Sequence, residues 1–563
     1  MQEAFLWKRF TDASINSYVG TSNELILDLR AEQNRLRLCD GSTAGGHVIS
    51  GEVSPGVITP TITGPIDGLT NVSLTLTLSC SHFEGYDDEL TPHTHASSRW
   101  QIGTDPLFIT GIAVDSGNSA VDKLSYDLAS HGVALKHNTL YYARVSHTTA
   151  TGVTSSWSNS VSFTTWLGVS STPAHTLQLN TATFDKFGYL VALSGDGQTL
   201  LVDGNYIGVP DTTRDGYVCV YRRTTDGWVL QKTLLSPNPN DDNSYGISAM
   251  RISYDGNTVV VTDRQFAGYS GIAYVYVYTN STWVLQASLE APDKAAGRYF
   301  GHSVAMSSDG NLLAVGDIYR NMDAINTGAG AVHIFERNAG IWTHVQYVVA
   351  QESNTKNDSF GYSVSVSEDK NTLLVGAYQD DEAASNAGAA YIFYRTGNQY
   401  LQHLKIKASD ALANDNFGFN CVLSGNGKRA FINSRYADPT SSDSGAGYYF
   451  EKINTTWVQT YKLVGASNIV KRYGSRAAMS SDGSLLVTCG RQDVETAFNP
   501  PDVYVHAGNT LGKVSTINVA GLTPNDTFGF GIAMSDNGSV VAISAASVGG
   551  LGAGVSGKVY IYE

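Results

Sequence analysis

A few residues have types and spacing that could do chemistry. His93-Thr94-His95, just ahead of Trp100, places two imidazoles two residues apart. Copies of such a pair gathered around a symmetry axis can hold iron or zinc. Asp380-Asp381-Glu382 could bind a cation, or supply the acid and base that cleave a glycosidic bond. Asp241-Asp242-Asn243 has the same chemistry. Each has a plainer reading: imidazoles bonded to a loop backbone, and acidic surface facing water. The scattered GxG fragments belong to hairpins, because none opens a helix after a strand as dinucleotide binding requires. No catalytic, metal or cofactor set assembles, and the expectation is a protein that is not an enzyme.

The chain that must position these residues is rich in turns and aromatic groups. Of 563 residues, 57 are glycine and 31 tyrosine, and only 15% are charged, against a usual figure of about 25%. That composition reads as compact β structure. The balance of 36 basic and 51 acidic residues gives 36 − 51 = −15, which repels phosphate backbones and makes nucleic acid a poor partner. No apolar run of about 18 residues is present, and MQEAFLWKRF lacks the apolar stretch of a signal peptide. The expectation is a soluble protein made in the cytoplasm, without membrane insertion. The five cysteines, Cys39, Cys80, Cys219, Cys421 and Cys489, are scattered and read as free thiols.

An internal repeat fixes the architecture. An aromatic-glycine pair recurs at Phe187-Gly188, Tyr245-Gly246, Phe300-Gly301, Phe360-Gly361, Phe417-Gly418, Tyr473-Gly474 and Phe528-Gly529. The separations are 58, 55, 60, 57, 56 and 55. Nine residues after the aromatic stands Asp196, Asp309, Asp369, Asn426, Asp482 or Asn537; Asp255 follows Tyr245 by ten. Each unit reads as four strands: a small-residue strand, a tight turn such as GDG or SDG, and a buried run such as NLLAVGD. A long polar loop, an aromatic strand such as GAVHIF, and a strand opening on tryptophan complete it. Four antiparallel strands at this period describe a propeller blade, so the fold class is all-β with a seven-bladed β-propeller over 175–563. The last unit stops at Tyr562-Glu563 without a fourth strand, and His175 to Asn180 supplies one. These ends are expected to pair and close the ring.

These residues carry a resemblance. FG, a small-residue strand, DG, LLVGA and GAVHIF are similar to the FG-GAP repeats of the integrin alpha-chain propeller. The family's calcium loop is cut here to GDGQ, SDGN or EDKN, leaving too few oxygens for the 6–8 that calcium takes, so no metal site is implied.

Residues 54–165 lack the repeat. Their strand-like runs, with Trp100 and Leu135-x-His137-x-Thr139-x-Tyr141, resemble a fibronectin type III or immunoglobulin-like sandwich, and 166–174 reads as a linker. Within 1–50, SNELILDLRAEQNRLRLCDGSTAGG reads as a small β-hairpin that needs a partner to cover its apolar face. Its Glu24, Leu25, Asp28, Leu36, Leu38, Asp40 and Gly41 resemble an amino-terminal module of bacteriophage tail fibres. That resemblance implies attachment to other virion proteins and a homotrimer, with Met1 to Gly20 as an attachment peptide.

In an up-and-down blade the loops between second and third strands lie on one face, and here they are long, polar and different in every unit. Variable loops on a rigid scaffold carry recognition. Tyr206, Arg264, Tyr319, Arg320, Tyr378, Arg435 and Tyr436 are therefore expected to be exposed contacts there. The combined expectation is a phage tail or neck fibre subunit that binds a host surface glycan or protein. Alternatives are a propeller-borne glycan depolymerase, a bacterial adhesin, and a propeller that holds neighbouring virion proteins.

Overall fold

A computed structural model describes residues 7–10, 25–28, 35–38, 47–52 and 56–563, apart from 73–75, 87–92, 129, 132–134, 136–138, 166–171, 180–183, 186, 208–215, 239–243, 247, 324–326, 352–356, 466–471, 491–499, 508–509, 523–525 and 547–556. It forms two compact units, Met1–Trp166 and Leu167–Glu563. Glu24, Asp40, Gly41, His137 and Asp241 to Asn243 lie outside the described residues.

In the first unit, Leu25–Asp28 and Arg35–Leu38 pair antiparallel with Leu25 opposite Leu38 and Asp28 opposite Arg35. The expected hairpin does not stand alone. Trp7–Phe10 runs parallel along one edge and His47–Glu52 antiparallel along the other. Part of the stretch expected to be an attachment peptide is thus a strand of this sheet.

Among the described residues, the rest of this unit has a two-stranded pair, Gly56–Val57 with Gly85–Tyr86, and two larger sheets. Ile62–Gly64, Thr77–Cys80 and Ser125–Asp127 form one; the other orders Ile112–Ser119, His95–Gly103, Leu140–Thr149, Val161–Thr165 and Leu69–Val72. Period-two alternation sends Leu78 from one sheet, and Trp100, Ile102, Tyr141, Ala143 and Phe163 from the other, into one shared core.

The second unit is a β-propeller. Among the described residues it has six four-stranded sheets and one five-stranded sheet, all antiparallel and all but one built on consecutive strands. The one α-helical segment among the described residues, Phe266–Tyr269, lies in a loop and has positive φ at Ala267 and Gly268. The sheet of Phe300–Met306, Leu312–Asp317, Ala331–Asn338 and Ile341–Val348 is representative.

The aromatic of each aromatic-glycine pair is buried, from 0% exposed at Phe187, Phe300 and Phe417 to 2% at Tyr473. It packs against the aromatic third strand: Phe360 meets Tyr391 at 5.3 Å and Phe417 meets Tyr448 at 5.5 Å. Tyr274, Tyr276, Phe335, Tyr391, Phe393, Tyr449, Tyr504 and Tyr560 are all buried, so they are core rather than sugar platforms. The second landmark is a turn cap. Asp309 Oδ1 accepts from Ser307 Oγ at 2.6 Å and Asn311 N at 3.1 Å, and every unit repeats the serine bond, as at Asp196, Asp255, Asp482 and Asn537.

Each hydrophobic core lies between neighbouring sheets. One combines Val332 and Ile334 with Phe360, Leu373 and Tyr391. Another combines Phe187, Leu200 and Val202 with Leu177, Val559 and Ile561 from the first and last strands of the propeller. His175–Leu177 pairs antiparallel with Lys558–Tyr562, His175 opposite Ile561 and Leu177 opposite Val559, as expected from the missing fourth strand. At the seam Trp228 Nε1 donates to Glu563 at 3.2 Å, and Arg223 forms an ion pair with the same carboxylate. The hairpin turns also join: Asp536 N donates to Gly195 O at 2.9 Å, and Asp196 N to Tyr254 O at 3.0 Å.

Candidate functional site

The innermost strand of each blade begins at its aromatic-glycine pair or within four residues after it, and the second strand ends beside it, as where Phe417 pairs with Ser434. The residue after the glycine and the first residue of the following long loop therefore share one end of the lumen. A cavity of about 370 Å³ occupies that end. Tyr189, His302, Tyr362 and Phe419, each following such a glycine, form part of its wall. Arg264 and Arg435, at the starts of two long loops, join Arg251 and Arg476 from the innermost strands. None of its lining residues, among the described residues, is acidic.

Main-chain carbonyls and rings set these guanidinium groups in place. Arg251 Nη1 donates to Met250 O at 2.8 Å, and Arg476 Nε to Phe530 O at 2.9 Å. Arg435 lies 4.3 Å over the Phe419 ring and 5.3 Å over Tyr436. Burial, reinforced by the charge of Arg264, pushes His302 down to about 3, so its imidazole is neutral. The Nε of Arg264 and the Nδ1 of His302 are buried with no hydrogen-bond partner among the described residues. Uncompensated buried donors and cations are costly. The chemistry this arrangement supports is the binding of an anion presented on a small ring or chain.

The sequence candidates divide here. Arg264 and Arg435 line the cavity. Tyr378 stands behind it, 4.3 Å from Tyr362 and 5.8 Å from Phe419. Tyr436 packs between Arg435 and Arg472 at 5.3 and 5.2 Å. Arg320 pairs with Asp293 at 2.9 Å and covers Tyr347, while Tyr319 is exposed and meets Tyr299 edge-on at 5.3 Å. The expectation of general exposure is corrected: Arg435 is only 7% exposed, and Arg264, Arg320, Tyr378 and Tyr436 are half-buried, because they pack on the loops and rings beside them. Tyr206 is also corrected, for it belongs to the strand Thr199–Ile207, extended by pairing with Phe184–Asp185. Sequence reasoning missed Arg251, Arg476, His302, Tyr189, Tyr362 and Phe419; their position after each aromatic-glycine pair was the available signal.

The other chemical candidates are absorbed locally. His95 stacks on Phe83 at 4.5 Å and its Nε2 lies 2.9 Å from Ser98 Oγ. Among the described residues no group of three or more metal-ligating side chains is gathered. Lys405 bridges Asp380 and Glu382 at 2.7 and 2.6 Å, and Lys407 joins Glu382 at 2.9 Å. These two lysines hold Glu382 down at about 2, well below the range of a general acid.

At the opposite end of the lumen the turns bring two carboxyl groups together. Burial, then the hydrogen-bonded Glu368 carboxyl, then Asp196, push Asp536 up to about 7. The folded chain therefore holds a proton there that the unfolded chain releases above about pH 4, and stability falls as pH rises from 4 to 7. Thermal melts should show a decline of at most about 2 °C per pH unit in that window. Asp536→Asn should flatten it; an unchanged slope in the variant would show that another group is responsible.

A family model described as the FG-GAP repeat matches residues 283–335 and 342–393. Among solved structures, the chain is similar to the Pseudomonas aeruginosa periplasmic gluconolactonase PpgL, with 17% identity, 64% of this chain and 98% of that one covered, and a TM-score of 0.42. It is similar to the β-propeller domain of the Trilobed protease from Pyrococcus furiosus, with 10% identity, 68% and 95% covered, and a TM-score of 0.41. It is also similar to the Dos1 propeller, with 12% identity, 70% and 94% covered, and a TM-score of 0.40. No curated protein matches it in sequence. Residues 283–335 and 342–393 thus match the FG-GAP repeat, within a unit folded as a β-propeller.

Proposed function

We propose that this chain is a non-enzymatic structural subunit of a phage tail or neck fibre, whose seven-bladed propeller binds the host cell surface with its long-loop end. The observation that carries this reading is the arginine- and aromatic-walled cavity at that end. Concave sites with a few convergent polar groups are where small ligands bind. In the same reading residues 54–165 are a fibronectin type III-like spacer, supported by two sheets around the buried Trp100, and residues 1–50 attach a homotrimer to other virion proteins. Support for attachment is the hairpin of Leu25–Asp28 and Arg35–Leu38 with a strand on either edge. Several copies on one particle would turn weak contacts into avidity.

Removal of residues 1–50 should leave a chain with native β circular dichroism that particles no longer incorporate. Incorporation at normal levels would overturn the attachment role. Host binding is read separately, from adsorption of the purified full chain to host cells, which this reading requires to saturate.

A further inference from the structure

We infer that the cavity at the long-loop end is a site for a carboxylate-bearing sugar, a uronic or sialic acid residue, held by Arg264 and Arg435 and packed on Tyr362 and Phe419. The inference rests on the recognition reading above and names the ligand class it leaves open. Three features of the cavity point the same way.

Its charge is local and opposite to that of the molecule. A chain of net charge −15 places four arginines around about 370 Å³ with no acidic lining residue among those described. A guanidinium fork matches a carboxylate in two parallel hydrogen bonds, which a neutral sugar cannot supply.

Its wall carries polar atoms that the fold leaves unsatisfied. Arg264 Nε and His302 Nδ1 are buried without hydrogen-bond partners among the described residues. His302 stays neutral beside Arg264, so it adds no charge to that wall.

Its remaining wall suits a ring more than a bare ion. Tyr362 lies 4.4 Å from the His302 ring and 4.8 Å from Phe419, giving a continuous aromatic surface beside the arginines. The carbon face of a pyranose packs on such a surface, whereas phosphate or sulfate gains nothing from it. A volume of about 370 Å³ is at the small end of ligand pockets, the size for one or two sugar residues rather than a long polymer.

The test is calorimetric titration of the full chain with glucuronic acid, N-acetylneuraminic acid, glucose and inorganic phosphate at one ionic strength. At least one of the two acidic sugars should bind, glucose should not, and phosphate should bind at least about tenfold more weakly. Arg264→Gln should weaken acidic-sugar binding about 10- to 100-fold, the range for losing a charged hydrogen bond. Arg435→Gln is the second variant should the first fail to fold. Equal binding of glucose, phosphate matching the acidic sugars, no binding of either acidic sugar, or an unchanged affinity in a folded variant would each overturn the assignment. Adsorption to host cells, measured with the same protein, separates the outcomes: saturable adsorption without acidic-sugar binding removes this inference and leaves the recognition role.

Discussion

Gly388→Ala should destabilise the propeller by about 3 kcal/mol or more and lower its melting temperature by about 4 °C, although it adds a single methyl group. Gly388 opens a third strand at φ +84°, a conformation side chains rarely adopt. A Cβ there would lie 2.1 Å from Phe417 O and 2.5 Å from Phe417 N, both backbone atoms of the next blade. The two residues form a parallel bridge, and Phe417 N donates to Ala387 O at 2.8 Å. Relief therefore requires the blades to part, which opens the core holding the buried Phe417 ring. Differential scanning calorimetry measures the effect; a shift under 1 °C would mean that the two blades are not in this contact.

The second large effect is expected at the seam. Leu177→Asp should cost about 3–5 kcal/mol, because it places an unpaired carboxylate in a core shared by the propeller's first and last strands. Leu177 is 9% exposed and sits opposite Val559 in the strand that completes the last blade. Loss of that strand would also bare the edge of Lys558–Tyr562, an apolar strand prone to pairing with other chains. Light scattering on heating should then rise earlier than in the parent. Ile341→Asp serves as the control, since Ile341 occupies the same outer strand of another blade at 68% exposure. It should change stability by less than about 0.5 kcal/mol. Equal effects of the two substitutions would contradict closure through the propeller's first and last strands.

The scaffold was legible because its repeat is enforced by sterics. The aromatic must fill the space between blades and the glycine must take positive φ, from +79° at Gly246 to +92° at Gly361, so neither drifts. The aspartate nine residues on was legible as a turn marker, while its role as acceptor of a serine and a main-chain bond needed the structure. The long loops were visible by length and polarity, and two of their residues, Arg264 and Arg435, were found in this way. The other half of the cavity was missed, although its position after the aromatic-glycine pairs was a signal. Arg251 and Arg476 come from small-residue strands about 225 positions apart in the chain, and they become neighbours only when the ring curls round one axis. Tyr206 was misread because the strand Thr199–Ile207 runs on past Asp203-Gly204-Asn205, where it pairs with Phe184–Asp185.

The account depends on a closed ring in which every blade contributes its inner strand to one lumen. Single-particle imaging of the full chain tests this most directly. The expected map has seven sectors about one axis, with residues 175–177 as the outer strand of the last sector and the arginine-lined end of the lumen beneath the long loops. Six or eight sectors, or a gap between the first and last, would contradict it.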